Sequence, residues 1–95
     1  MNMERVYSKG CRTILLALLE KDLRWKDLEK IVDKRTVSEC IDLLMSIGFV
    51  EAKIDYSESS KGVKKYTLTE KGRIFARKLS ELNNILSNAV EVNPS

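Results

Sequence analysis

The sequence contains no histidine, one proline and two cysteines, and only 6% of its 95 residues are aromatic. Without histidine, and with the cysteines well separated along the chain, it lacks the ligand spacing of a structural zinc site. It also has no glycine-rich phosphate loop and no paired carboxylates in a predicted cleft. We therefore expect no metal, no cofactor and no enzymatic activity. Cys11 and Cys40 fall on predicted apolar helix faces, which favours two buried thiols, while a disulfide between them stays open.

Long hydrophobic stretches are missing as well. No apolar run approaches the roughly 18 residues of a membrane span, and the N-terminus lacks a signal-peptide pattern. We expect one cytoplasmic domain that does not contact a membrane. The net charge is only +3, but seven basic residues stand against one acid between Lys61 and Lys78. This clustering favours a surface that faces a polyanion, with a merely solvated face as the alternative.

Apolar periodicity predicts three helices in the first half of the chain. Ser8 can cap a helix to about residue 21, and Trp25 opens a second helix over residues 25–32 with Leu28, Ile31 and Val32 turned inward. The third helix spans about residues 36–47. Residues 1–7 precede this region as a loose N-terminal segment.

The ends of the third helix carry recognisable signals. Thr36 and Glu39 match a capping box, and Gly48 followed by Phe49 matches a Schellman cap. Asp33 is the alternative N-cap, and it would place Lys34 and Arg35 inside the first helical turn. We favour Thr36, since otherwise almost no turn separates the second and third helices.

After Phe49 the period changes to that of strands. Val50, Ala52 and Ile54 alternate with charged residues, and residues 63–68 read as a returning strand after a serine-rich turn. Thr69 then caps a last helix that runs to about residue 90. Its apolar residues follow an a/d heptad spacing, which predicts a helix pair with a second copy of the chain. The seam and its flank comprise Phe75, Leu79, Leu82, Ile85, Leu86 and Ala89.

Three motifs resemble those of one known fold family. Thr36-Val37-Ser38 resembles the "S-T-V-S" start of recognition helices in small bacterial and archaeal regulators. Residues 43–50 resemble their "L-x-x-x-G-L-V" exit into the wing, and residues 66–72 resemble their "Y-x-L-T-x-K-G" passage into the final helix. The chain thus resembles winged helix-turn-helix proteins over about residues 8–90. The long last helix is similar to that of small archaeal members that dimerise through a coiled coil.

The resemblance implies a mainly helical α+β fold with a three-helix core, a two-stranded wing and a long C-terminal helix. Residues 8–68 would form the winged helix-turn-helix domain, residues 69–90 the dimerisation helix and residues 91–95 a disordered tail. It further implies a homodimeric transcriptional regulator of double-stranded DNA. The recognition helix would enter the major groove, and the wing, residues 50–68, would contact flanking DNA. The candidate DNA-contacting residues are Lys34, Arg35, Thr36, Ser38, Glu39, Lys61, Lys64 and Lys65.

Two other functions remain open. An archaeal chromatin-type protein would bind DNA without sequence preference, although such a protein usually carries more net charge. A winged-helix protein-interaction module is the other alternative, because Glu39 and Asp42 make the recognition helix less basic than is usual.

Overall fold

Six elements follow one another in the order helix, helix, helix, strand, strand, helix. The computed structural model describes residue 6 and residues 8–92, with side chains through residue 88. Within these ranges, no helix is both long and apolar enough to cross a membrane. The elements are α1 (Lys9–Glu20), α2 (Trp25–Leu28), α3 (Lys34–Ser46), β1 (Val50–Asp55), β2 (Val63–Leu68) and α4 (Glu70–Val92).

The centre of the core lies between α1 and α3. Ser8 caps α1 as predicted, because its side chain accepts a hydrogen bond from the Cys11 N–H. The apolar stripes of both helices point inward, which fits helical spacing of hydrophobic residues. The buried residues that these two helices supply are Cys11, Ile14, Leu15, Leu18, Val37, Cys40, Ile41 and Leu44.

The C-terminus of α3 has the predicted Schellman cap. Gly48 adopts a φ of 79°, the left-handed conformation that glycine reaches without steric cost. Its N–H donates to the Met45 carbonyl at 3.1 Å, and the Phe49 N–H donates to the Leu44 carbonyl at 2.8 Å. These two bonds define the motif and turn the chain into β1.

The N-terminus of α3 differs from the favoured prediction. Asp33, not Thr36, is the N-cap, and its carboxylate accepts the Thr36 N–H at 2.7 Å. A carboxylate is favoured at this end by the helix dipole, and the hydrogen bonds from Thr36 lower the pKa of Asp33. The capping box of Thr36 and Glu39 is therefore wrong. Lys34 and Arg35 lie in the first turn, as the alternative required.

The second helix is shorter than predicted. α2 ends at Leu28, and residues 29–32 form turns rather than a continued helix. The extended backbone that Asp33 needs as an N-cap stops any helix from running directly into α3. As a result Ile31 is exposed instead of turned inward. Trp25 packs against the core as expected, and its Nε1–H donates to Glu29 at 3.0 Å.

The two predicted strands form an antiparallel hairpin, with Val50 opposite Leu68 and Asp55 opposite Val63. The predicted burial of alternate β1 residues is wrong beyond Val50, because Ala52 and Ile54 are exposed. The hairpin projects from the core, so only its base is covered. Leu23 forms an unpredicted bridge to the other edge of β2, exchanging two backbone hydrogen bonds with Tyr66.

The wing and α4 meet the end of α3 at one joint. Thr69 caps α4, accepting the Gly72 N–H at 3.0 Å, and its hydroxyl donates to the Gly48 carbonyl at 2.6 Å. The Thr69 N–H donates to the Phe49 carbonyl at 3.0 Å. Gly72 lies directly against this backbone: a Cβ there would come within 2.7 Å of the Phe49 carbonyl carbon. Only glycine fits this contact without a backbone shift.

The two ends of the chain differ in part from the expectation. Val6, which belongs to the predicted loose segment, is fully buried in the core. The other residues of that segment lie outside the described residues. The last helix continues through Val92 rather than ending near residue 90, and the remainder of the predicted tail, residues 93–95, is also outside the described part.

Replacing Gly72 by alanine should lower the free energy of unfolding by about 1–3 kcal/mol, because the added Cβ would clash with the backbone of Phe49. Denaturant unfolding followed by circular dichroism measures the change. Ser87→Ala on the exposed surface of the same helix is the control, and it should leave stability equal or higher, since alanine is the better helix former. A Gly72→Ala variant as stable as the wild type would contradict the close approach.

Candidate nucleic-acid interface

The first two turns of α3 present polar side chains to solvent. Lys34, Arg35 and Ser38 are exposed, and the Arg35 side chain is 89% accessible. This is the end of a helix at which free N–H groups and the dipole favour anions. The side chains that sequence reasoning selected at this end therefore form one continuous exposed surface, except for Thr36.

Thr36 faces the opposite way, toward α1. It is partly buried, and its methyl group lies where the side chain of any larger residue at position 10 would be. Gly10 allows α1 and α3 to approach each other at this point. Thr36, which the sequence analysis places among the DNA-contacting residues, thus packs against α1 and does not lie on the exposed face. The sequence did not indicate the role of Gly10 in this contact.

The acidic residues of α3 lie on the same exposed face. The Glu39 carboxylate accepts a hydrogen bond from Arg35 Nε at 3.1 Å, one helical turn away. Asp42 is also exposed, one turn beyond Ser38. Because this ion pair is solvent-exposed, it is weak and easily exchanged for another partner. Arg35 is therefore oriented along the helix yet able to turn toward an anion.

The three wing lysines have different environments. Lys61 is exposed at the turn of the hairpin, and Lys64 is exposed with its Nζ 5.6 Å from the centre of the Tyr66 ring. Lys65 is only 16% accessible and binds two carboxylates, Asp55 at 2.9 Å and Glu58 at 3.2 Å. Lys65 therefore holds the hairpin together and does not share the exposure of the other two.

This ion-pair cluster shifts the pKa values of its members. The hydrogen bond from Lys65, with further ones from Ser57, holds the pKa of Asp55 far below its ordinary value. In return Asp55 and Glu58 raise the pKa of Lys65. With the pKa of Asp55 lowered and that of Lys65 raised, both groups stay charged across the neutral range, so their ion pair persists there.

Other basic residues are engaged within the fold. Lys71 Nζ donates to the Ile47 carbonyl at 3.1 Å, where it neutralises the C-terminal end of α3. Lys53 Nζ pairs with Asp22 at 2.5 Å. Burial raises the pKa of Asp22, but hydrogen bonds from Lys53 and Thr67 outweigh this and lower it overall. The basic stretch of the sequence thus offers less free charge than its composition suggests.

The predicted dimer seam divides into two parts along α4. Phe75 packs on Phe49 with ring centres 4.9 Å apart, and Leu79 is buried in the core of its own chain. Leu82, Ile85 and Leu86 lie further along the helix and are 56%, 62% and 62% exposed. Ala89 is in α4, but beyond the side chains that the structure describes.

A groove of about 480 Å³ runs between α1 and the exposed part of α4. The sequence analysis assigns no role to the residues on the α1 side of this groove, although they recur at the spacing of one helix face. The α1 residues that line it are Lys9, Arg12, Thr13 and Leu16, and the α4 residues are Leu79, Leu82, Asn83 and Leu86.

Cys11 and Cys40 form a disulfide between α1 and α3. Both residues are buried, as predicted, but the favoured form of two separate thiols is wrong. The crossing of the two helices at Gly10 brings the cysteines together. Within the described ranges, no group of three or more histidine, cysteine or acidic side chains could hold a metal ion.

The fold is similar to solved structures at low sequence identity. The protein ytfH from Salmonella typhimurium superposes with a TM-score of 0.75 at 20% identity, over 94% of this chain and 80% of that one. For the adhesin competence repressor AdcR from Streptococcus pyogenes the TM-score is 0.75 at 20% identity, over 88% of this chain and 61% of AdcR. The reduced form of the transcriptional regulator YodB from B. subtilis gives 0.72 at 17% identity, over 97% and 91%.

These structures are winged-helix proteins, and they confirm the predicted fold: this chain has the winged helix-turn-helix architecture, with α2 and α3 as its helix-turn-helix and β1 and β2 as its wing. All three are bacterial proteins. Comparison with family models and with curated proteins finds no match.

Asp55→Asn should destabilise the protein at neutral pH and lose this effect in acid. The pKa of Asp55 is lowered on folding from an unfolded value of about 3.9, so its carboxylate stabilises the fold above that pH. The difference in unfolding midpoint between wild type and variant should shrink as the pH falls below about 4. Asp42→Asn, on the exposed face of α3, is the control and should change the midpoint less. A difference that is the same in acid as at neutral pH would contradict a stabilising ion pair between Asp55 and Lys65.

Proposed function

We propose that this chain is a transcriptional regulator that binds double-stranded DNA as a homodimer, with α3 in the major groove and the wing on flanking DNA. The observation that carries the proposal is the exposed first half of α3, with Lys34, Arg35 and Ser38 side by side on a winged-helix scaffold. AdcR and YodB, which have the same fold, are a repressor and a transcriptional regulator. Their likeness supports this class of function.

The side chains of α3 suggest how sequence would be recognised. Arg35 can reach the O6 and N7 acceptors of a guanine once it leaves Glu39, and Glu39 can then accept from a cytosine amino group. Ser38, between them on the helix, fits several bases and discriminates less. Asp42 would be repelled by phosphate, so docking should use the N-terminal half of the helix.

The wing would supply affinity rather than specificity. Lys61 and Lys64 are exposed and suited to phosphate contacts, which are independent of sequence and sensitive to salt. Lys65 is held by Asp55 and Glu58, so we assign it to the stability of the wing and not to the DNA contact.

The double variant Lys61→Ala, Lys64→Ala should weaken binding to all duplex sequences alike. It should reduce the salt slope by about one unit for each lost phosphate contact, up to about four units for the proposed homodimer with its two wings. Fluorescence anisotropy with specific and random duplexes at two salt concentrations measures both quantities. Lys21→Ala with Lys30→Ala removes the same charge from other exposed positions and should leave the slope unchanged. No binding by the folded wild type, even at low salt, would refute DNA binding itself.

Arg35→Ala should relax sequence preference more than it weakens overall affinity. Selection of bound sequences from a random duplex pool should give a motif for the wild type and lose a guanine position in the variant. Arg77→Ala, an exposed arginine of α4, is the control and should keep the wild-type motif. A wild type that enriches no motif would point to chromatin-type binding and contradict a sequence-specific regulator.

The dimer proposal rests on the exposed apolar part of α4. Leu82, Ile85 and Leu86 form a stripe next to the groove between α1 and α4. Leaving such a stripe in water costs free energy, and the α4 stripe of a second copy is apolar in the same way. We therefore propose that α4 of one protomer packs on α4 and into the groove of the other. Phe75 and Leu79 would support this surface from inside each chain.

Leu82→Glu with Leu86→Glu should convert a dimer into a folded monomer, because each charge would be buried against its partner copy. Sedimentation velocity at micromolar concentration measures the state. Asn84→Glu with Asn88→Glu adds the same charge to other exposed positions of α4 and should leave the dimer largely intact. A monomeric wild type at this concentration would refute the proposal.

A further inference from the structure

The disulfide joins the start of α1 to the middle of α3. Cys11 lies in the first turn of α1, and Cys40 lies one turn after Thr36, which contacts α1 at Gly10. The bond therefore ties the half of α3 that bears Arg35 and Ser38 directly to α1. It does so beside the close contact between Gly10 and Thr36.

The two ends of α3 are anchored very differently. The C-terminal end is tied by the Schellman cap and by hydrogen bonds from Thr69 and Lys71 to the carbonyls of Gly48 and Ile47. In the N-terminal half, Val37 is the buried apolar side chain, and the Asp33 cap is exposed and local to the helix. The disulfide is thus the strong tertiary link of the half that we propose to face DNA.

A pocket of about 310 Å³ lies beside the disulfide. Ser8 and Glu39, two of its lining residues, are exposed, so the pocket opens at the surface. Gly10 contributes no side chain to close it. A small thiol can therefore approach sulfur atoms that are otherwise buried. The remaining lining residues are Thr36 and Leu43, together with both cysteines.

We propose that the bond between Cys11 and Cys40 is a thiol–disulfide switch that sets the DNA affinity of α3. In the reductive step a thiolate attacks one sulfur, the bond between the cysteines breaks, and the released cysteine takes up a proton. A second thiol resolves the mixed disulfide. The net change converts the protein disulfide and two small thiols into two protein thiols and one small-molecule disulfide.

The oxidised form is the binding form. With the bond intact, the first turns of α3 are held against α1 and Arg35 is presented at a fixed angle, so little order has to be gained on binding. With the bond reduced, that half keeps its buried Val37 and Cys40 side chains and the Thr36 contact but loses its covalent link to α1, and the conformational freedom that it gains opposes docking. The C-terminal end keeps its own anchors, and the fold is retained.

The test compares oxidised and dithiothreitol-reduced wild type, at a temperature where circular dichroism shows both folded, in anisotropy titrations with duplex DNA. The double variant Cys11→Ala, Cys40→Ala is measured with and without the reductant. We expect the oxidised protein to bind at least about fivefold more tightly than the reduced one, within the usual range of coupling between sites. The DNA affinity of the variant should equal that of the reduced wild type and should not change when dithiothreitol is added.

Equal affinity of the two folded forms, or tighter binding by the reduced one, would overturn the switch. A disulfide that dithiothreitol cannot reduce in the folded protein would overturn it too. The switch rests on the proposed DNA binding, so amide hydrogen exchange provides a separate measurement. If neither form binds DNA, the proposed function fails. Faster exchange on reduction, confined to residues 34–41, then still supports the link to α3, and unchanged exchange overturns it.

Discussion

The contact between Gly72 and the backbone of Phe49 is the constraint on which the rest of the structure depends. It lets α4 begin directly against the end of α3, where Thr69 bonds to the carbonyl of Gly48 and to the N–H of Gly72. Gly48, with its positive φ, turns the chain from α3 into β1 at the same point. One joint therefore fixes three directions: that of the helix proposed to read DNA, that of the wing, and that of the helix proposed to form the dimer.

The charges of the chain are divided between holding the fold and facing solvent. Lys71 caps α3, Lys53 pairs with Asp22, and Lys65 closes the wing against Asp55. These lysines make their contacts within the fold, and the net charge of the whole chain is a modest +3. Lys34, Arg35, Lys61 and Lys64 are exposed on α3 and the wing, the two elements that the proposed function assigns to DNA, and further exposed basic residues such as Lys21, Lys30 and Arg77 lie elsewhere. This modest net charge fits the proposed sequence-specific regulator better than a protein that coats DNA by charge alone.

Features that depend on local signals were predictable from the sequence. The cap at Ser8, the Schellman cap at Gly48, the cap at Thr69 and both strands follow from a few neighbouring residues, and three spaced motifs specified the fold. The start of α3 was assigned to the wrong cap, because Asp33 and Thr36 both satisfy the local rule. The early end of α2 at Leu28, which the sequence did not indicate, leaves room for the turn before Asp33. The roles of Lys65 and Thr36 could not be predicted, since they depend on Glu58, Asp55 and Gly10, which reach them only in the folded chain. The same holds for the disulfide, which needs the α1–α3 crossing.

The most direct test of DNA binding through α3 and the wing is mapping of amide chemical shifts by NMR as duplex DNA is added to the full chain. If α3 and the wing bind DNA, the largest changes should fall on two segments, residues 33–42 at the start of α3 and residues 59–64 at the wing, while the part of α4 near Leu82 and Leu86 stays unchanged. Changes centred on α2 or α4, with the start of α3 unaffected, would contradict it.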